Sequence, residues 1–350
     1  MVSSMLLHPL QAKSVQFDYC FDRRLRCIAT RYTADSTDSD SGTPSCSFVF
    51  TSGISLLQET WIPVIKELFR LSSQSPSSVK IRSAWVIERP NHGEAALINA
   101  KLLKEHYSVL FPSLQYASAI HAFLTSDFLS ASERNNLVGV GHSGGGGSLI
   151  QAVEYGLRDG HNIPLRSLVL VEAPFIGPEV WPFFQVLYDA VKRSNVRRAT
   201  RWPSKDAAMK WFRTHLPWKT FSPEVLRIVE DTYFIPDMDH PGFITTKTAV
   251  EQETACFVDT TGTHLLATSF FRTIADVLPT HIIAGSAEDF WPPGVYLAIV
   301  ENTTQVRSQL ASVTVIDDVG HYIPTVKPHD LAATVFQTVA RKLPSNLSKL

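Results

Sequence analysis

The chain has 350 residues, 44% of them apolar and 19% charged, a balance that suits a folded protein with a sizeable core and excludes a disordered or fibrous chain. A formal net charge of −1 supplies no overall basic field, which argues against nucleic acid as the main partner. No run of 18 uncharged apolar residues occurs, so no membrane span is expected, and Met1 to Leu10 is too short and interrupted for a secretory leader. The four cysteines, Cys20, Cys27, Cys46 and Cys256, have neither zinc-site spacing nor disulfide-scaffold density and read as reduced structural thiols.

Short apolar, β-branched runs alternate with helical patterns, the signature of a mostly parallel sheet covered on both faces. Eight strands are expected near Ser14–Tyr19, Leu25–Tyr32, Cys46–Thr51, Arg82–Glu88, Leu137–Gly141, Ser167–Val171, His281–Ala284 and Ser312–Ile316, the first two as an antiparallel edge. Thr33–Ser45 and Ser72–Ser78, rich in small polar residues, read as exposed loops. Leu149, Ile150, Val153 and Leu157, and later Leu331, Val335, Phe336 and Val339, recur at helical spacing. Residues 174–278, rich in Trp, Phe, Pro and charge, are far more than a βα crossover needs. They are expected to form a helical lid inserted between the sixth and seventh strands of a core made of residues 1–173 and 279–350.

The strongest motif is Gly141-His142-Ser143-Gly144-Gly145, directly after an apolar strand and directly before a helix, as a nucleophile elbow requires. Glycines two before and two after the serine let strand and helix approach closely, and Gly146 and Gly147 extend that packing. A serine hydroxyl is a weak nucleophile and needs a base, for which His321, after the last strand and before the final helix, is placed. The acid that would orient this histidine has two candidate places: Asp289, with its neighbour Glu288, after the seventh strand, and Glu172 at the end of the sixth. Two backbone donors to an oxyanion are expected from Gly144 and, in Thr51-Ser52-Gly53-Ile54-Ser55, from Ile54. His92, in Glu88-Arg89-Pro90-Asn91-His92-Gly93-Glu94, reads as structural. Ser348-Lys349-Leu350 is the tripeptide that a peroxisomal import receptor reads at a free C-terminus, an address and not an anchor.

With this elbow, late histidine and insertion, the chain resembles the α/β-hydrolase superfamily from about Phe48 onward. Within it the chain is similar to fungal peroxisomal hydrolases of toxin and polyketide biosynthesis. The subgroup features are the Thr51-Ser52-Gly53 loop with Glu59-Thr60-Trp61, Asn91-His92-Gly93-Glu94-Ala95, and Arg201-Trp202-Pro203-Ser204 through Trp211-Phe212. It looks like the AK-toxin biosynthesis hydrolases of plant-pathogenic fungi and, more distantly, the acyl-CoA hydrolase of mycophenolic acid biosynthesis. The latter takes its acid from the end of the sixth strand, which maps onto Glu172, a Glu where that relative has Asp; Asp289 keeps the commoner place.

The resemblance implies hydrolysis of an acyl-CoA thioester or related acyl intermediate of a secondary metabolite in the peroxisome, with no metal or organic cofactor. Lys192, Arg193, Arg197, Arg198, Arg201 and Lys205 crowd the early lid, where they suit phosphates or merely form a solvated helical face. Trp181, Phe183, Phe184, Trp211 and Trp218 suit the walls of an acyl pocket or ordinary lid core. A general carboxylesterase or lipase is the rival enzyme, and a ligand-binding member that has lost catalysis the rival from another class. Serine at the elbow argues against the aspartate-nucleophile chemistry of dehalogenases and epoxide hydrolases. The sequence carries no signal for an oligomeric state.

Overall fold

The computed structural model describes residues 3–34, 45–74, 79–161, 163–174, 177–178, 181–258, 262–275, 277–291 and 293–340. Most of the Thr33–Ser45 loop, the end of Ser72–Ser78 and the Ser348-Lys349-Leu350 tripeptide lie outside the described residues. The strands are β1 (Leu10–Cys20), β2 (Arg24–Ala34), β3 (Ser45–Thr51), β4 (Lys80–Ile87), β5 (Leu137–His142), β6 (Leu165–Val171), β7 (Arg201–Trp202), β8 (Phe234–Pro236), β9 (Ile244–Thr246), β10 (Thr280–Gly285) and β11 (Ser312–Ile316). Eight of them form one sheet in the order β1-β2-β4-β3-β5-β6-β10-β11. β1 pairs antiparallel with β2, and β2 antiparallel with β4. From β4 to β11 all pairs are parallel.

Side chains along the central strands alternate between two cores because successive residues point to opposite faces. Val49, Leu168 and Leu170 face the side covered by helices Ser113–Thr125, Gly144–Arg158 and Thr263–Ile274. Phe48, Phe50, Val138, Val140, Val169 and Val171 face helices Ile62–Gln74 and Pro328–Ala340. The strands are buried on both faces and so read as near-continuous apolar runs in the sequence. Parallel order also brings the carboxyl ends of β3, β5, β6, β10 and β11 to one edge, which is where open α/β sheets bind ligands.

Between β6 and β10 the chain forms helices Trp181–Arg197, Lys205–Phe212, Pro223–Thr232 and Val250–Ala255 and a second sheet of order β7-β9-β8. The insertion thus holds three short antiparallel strands besides the expected helices. Strands of two or three residues are too short to carry an alternating pattern. Helix Thr263–Ile274, also within the expected lid segment, packs Phe271 and Ile274 into the core beside Leu149 and Ile150. Among the described residues no helix is long and apolar enough to cross a membrane. Cys27, Cys46 and Cys256 are buried, Cys20 is exposed, and all four are free thiols.

Candidate active site

Ser143 occupies the junction between β5 and the helix Gly144–Arg158, with φ +52° and ψ −133°, a backbone state that side-chain-bearing residues rarely adopt. It holds because its surroundings over-determine it. The Ser143 N–H donates to Val171 O at 3.0 Å, which ties the turn to the end of β6. A Cβ on Gly145 would stand 2.6 Å from Ser52 O and one on Gly141 2.5 Å from Gly146 Cα, so only glycine allows these backbones to meet. Gly146 is equally tight against Ala173, whereas a Cβ on Gly147 would meet nothing within 4 Å, so the expected packing role does not extend to Gly147.

The loops at this edge bring the predicted residues together. The Ser143 hydroxyl lies 2.9 Å from His321 Nε2, and His321 Nδ1 lies 3.4 Å from Glu172 Oε2. Of the two places for an acid, the one at the end of β6 meets the imidazole. Asp289 points elsewhere: its Oδ1 accepts the His321 backbone N–H at 2.8 Å and so fixes the loop carrying the histidine, not its ring. Glu172 has φ +48°, which turns its side chain inward, and its Oε1 accepts the Gly285 N–H at 2.8 Å while Trp291 Nε1 donates to Oε2 at 3.3 Å. Burial pushes this carboxyl's pKa upward, but the His321 hydrogen bond and charge and the Gly285 and Trp291 donors outweigh it, so the net shift is downward. An ionised Glu172 accepts only, which puts the imidazole proton on Nδ1 and leaves the Nε2 lone pair facing Ser143. At 3.4 Å the Nδ1 contact is long for a hydrogen bond.

Three aromatic neighbours escaped the sequence reading. Phe290 stacks on His321 at 4.3 Å between centroids, and Trp291 meets the ring edge-on at 4.9 Å. The ring of His142 lies 5.1 Å away, and its Nε2 donates to the His321 carbonyl at 2.9 Å. Burial, then the nearby His321, lowers the His142 pKa to about 3, so it is a neutral strut between β5 and the histidine loop. The pair Phe290-Trp291 directly after Glu288-Asp289 was the available signal. Together these rings confine the imidazole to one plane.

The loop after β3 abuts the serine, since a Cβ on Gly53 would lie 3.0 Å from Ser143 Cβ. Ile54 follows, its side chain 3.8 Å from the Cβ position of Gly144. Gly144 is the first residue of its helix, where an N–H has no intrahelical acceptor and the helix dipole favours negative charge. His92 is fully buried and shapes this loop: its Nε2 accepts the Ser55 N–H at 2.9 Å, and Asn91 Oδ1 lies 2.9 Å from its Nδ1. Burial lowers its pKa well below the usual value. That is a supporting role.

A cavity of about 30 Å³ touches Ser143 and Gly144 under Phe184, Leu187 and Trp291. It shares Phe257, Phe290 and Tyr322 with an open cleft of about 870 Å³ under the insertion. Of the six early cations, Arg193, Arg197 and Arg198 line this cleft. Arg198 is bound through both guanidinium ends to Glu253, at 2.6 and 2.8 Å, and lies over the Trp218 ring. Lys192 and Arg201 pair with Asp189 and Asp237. The rest of its lining mixes aromatics, including Trp211, on which His215 stacks at 4.1 Å, and Trp218, with aliphatic and polar residues, among them Asn195 and Asp289. Phe183 is exposed, whereas Phe184 belongs to a small core with Tyr188 and Trp291.

A sheet of this order with the serine at a β5–helix turn defines an α/β hydrolase. The family model for the alpha/beta hydrolase family matches residues 48–334, and the chain belongs to that family. No curated protein sequence matches the chain. Among solved structures it is similar to the peroxisomal α/β-hydrolase Lpx1 of Saccharomyces cerevisiae, with 16% identity, 97% of this chain and 92% of that one covered, and a TM-score of 0.75. The thioesterase domain from the curacin biosynthetic pathway follows, at 15% identity over 93% of this chain and 99% of that one, TM-score 0.60. The epoxide hydrolase VrEH1 of Vigna radiata also matches, at 14% identity over 95% and 98%, TM-score 0.56. Their names span different chemistries, so the likeness fixes the fold alone.

Proposed function

We propose that this chain is a serine hydrolase that cleaves an acyl-CoA thioester of a fungal secondary metabolite of the toxin or polyketide class. The observation that carries the chemistry is the Ser143–His321–Glu172 chain of contacts at the carboxyl edge of the sheet. Ser143 Oγ attacks the acyl carbon while His321 Nε2 takes the hydroxyl proton, and the N–H groups of Gly144 and Ile54 receive the oxyanion. As the carbon–sulfur bond breaks, His321 returns the proton to the leaving thiolate, and an acyl-serine ester remains. His321 then deprotonates a water that attacks this ester, releasing the acid and restoring Ser143. Glu172 holds the imidazole tautomer and balances its transient charge.

The insertion acts as a lid over the acyl-enzyme. What supports a phosphorylated carrier over a simple ester is the cleft: Arg193 and Arg197, four residues apart on one helix, line it, and neither has an ion pair among the described residues. The Ser348-Lys349-Leu350 tripeptide supports a peroxisomal address, which a fluorescent fusion to the last ten residues tests.

The deciding measurement is thiol release from a panel of acyl-CoAs beside neutral esters. Wild type releases thiol from acyl-CoAs, and Ser143→Ala releases none. Arg193→Ala/Arg197→Ala raises KM for acyl-CoA about tenfold, as loss of two partly solvated charged contacts implies, and leaves KM for a neutral ester unchanged. Equal effects on both substrates would reduce the reading to a general carboxylesterase.

A further inference from the structure

Outside the active-site cleft, three potential metal ligands converge where the helix Gly144–Arg158 ends. We propose that His121, Asp159 and His161 bind one first-row divalent transition-metal ion of the zinc class. His161 Nδ1 lies 3.4 Å from His121 Nε2. Two nitrogens each about 2.05 Å from a tetrahedral ion stand about 3.3 Å apart, so this spacing is that of two zinc ligands. As a direct hydrogen bond between two imidazoles it is long. One Asp159 oxygen lies within 4.8 Å of a ring nitrogen of each histidine, close enough for an exposed side chain to close the third position, with water as the fourth.

The site stands on fixed backbone. Asp159 is the C-cap of the helix, and Gly160 follows with φ +70°. The Gly160 N–H donates to Leu157 O at 3.3 Å and the His161 N–H to Gly156 O at 2.8 Å, the paired bonds of a Schellman turn. Ile163 then packs onto Gly156, where a Cβ would come within 2.1 Å of Ile163 Cγ1. These contacts hold His161 against His121, which projects from the neighbouring helix Ser113–Thr125 and meets Tyr155 edge-on at 6.3 Å.

The electrostatics agree, because the carboxyl end of a helix carries partial negative charge and favours a cation. Arg158 is the competing charge: its Nε lies 3.8 Å from Asp159 Oδ1 with both side chains largely exposed, a pairing worth little in water. Imidazole pairs select zinc, nickel or copper over magnesium or calcium. The ion would clip together two helices that pack on the same sheet face.

The test uses the full chain, untagged and stripped with EDTA, titrated with zinc chloride by calorimetry near neutral pH. One ion per chain is expected, with affinity falling at least about 100-fold in His121→Ala and in His161→Ala, and less in Asp159→Asn. The exposed Cys20→Ser change should leave binding unaltered. Cobalt bound to wild type should give tetrahedral visible bands that His161→Ala abolishes. In EDTA the Asp159→Asn, His161→Ala and Cys20→Ser variants should unfold close to the wild-type temperature, and zinc should raise that temperature in wild type and Cys20→Ser but not in His121→Ala or His161→Ala. Absence of saturable binding, wild-type affinity in the His121→Ala/His161→Ala variant, or loss of binding in Cys20→Ser would each overturn the proposal.

Discussion

Changing Glu172 to Gln keeps the volume of the side chain and removes its charge. Its Oε1 accepts from Gly285, while Oε2 faces both Trp291 Nε1 and His321 Nδ1. An amide placed here must present its NH2 to one side or the other. If it keeps the carbonyl toward Gly285, the NH2 opposes the indole donor and offers a proton to Nδ1, which drives the imidazole proton to Nε2, where it cannot accept from Ser143. In the serine protease triad the equivalent change lowers kcat about 10⁴-fold. The 3.4 Å contact here is looser. We therefore expect a fall of about 10³–10⁴ in kcat, or about 4–5.5 kcal/mol of barrier. Asp289→Asn retains a carbonyl oxygen for the His321 N–H, and its activity should fall less than about tenfold. Steady-state hydrolysis of any accepted ester or thioester, with thermal unfolding of each variant as the folding control, reads both numbers. Collapse of Asp289→Asn with activity surviving in Glu172→Gln would refute the assignment of the acid.

Ser143→Gly should abolish turnover and yet stabilise the chain, because relief of a positive φ at a non-glycine residue, about 1–3 kcal/mol, exceeds the about 0.4–1 kcal/mol that glycine adds to unfolded-state entropy. A melting temperature raised by about 1–3 °C checks it. Gly145→Ala, which drives a methyl onto Ser52 O, should cost about 1–3 kcal/mol in denaturant unfolding and lower activity, whereas Gly147→Ala should be neutral or stabilising. Because the folded-state pKa of His142 is depressed to about 3, its contribution is fully present above the unfolded value of about 6.5 and is lost as pH falls below it. Wild type should therefore lose about 2 kcal/mol more than His142→Asn between pH 7 and pH 5, and parallel stability curves would contradict that role.

The central strands of the main sheet were legible because burial on both faces demands unbroken apolar runs, as in Leu168-Val169-Leu170-Val171, whereas the partly exposed edge strands such as Ser312–Ile316 show only alternation. The placement of Ser143 and His321 at one edge was legible because each follows a strand of the parallel sheet, whose carboxyl ends lie together. The acid was not. Glu172 and Asp289 both follow strands that end beside His321, and what separates them is direction: the positive φ of Glu172 aims it at the ring, while Asp289 is held by the backbone N–H of His321. The six early cations were equally indistinct in sequence. Arg201 is paired with Asp237, on the far side of two helices in the chain, and Arg198 with Glu253, contacts that no local pattern announces. The three short strands of the insertion were missed because two or three residues cannot display a period of two.

The backbone itself marks where the chemistry belongs. Among the described residues four non-glycine residues have positive φ: Ser55, Ser143, Glu172 and Asp318. They follow β3, β5, β6 and β11 respectively, all at the carboxyl edge of the sheet. Each such state costs on the order of 1–3 kcal/mol and persists only where surrounding contacts over-determine it. Those contacts are present: Ser55 is held by His92 and Glu253, Ser143 by Val171, Glu172 by Ile283 and Gly285, and Asp318 by Ser286. Strain scattered at random would fall on turns all around the molecule. Its confinement to four loops that supply the neighbour of the proposed oxyanion donor, the proposed nucleophile, the proposed acid and the approach to His321 makes sense if the fold's stability is spent holding one geometry at that edge.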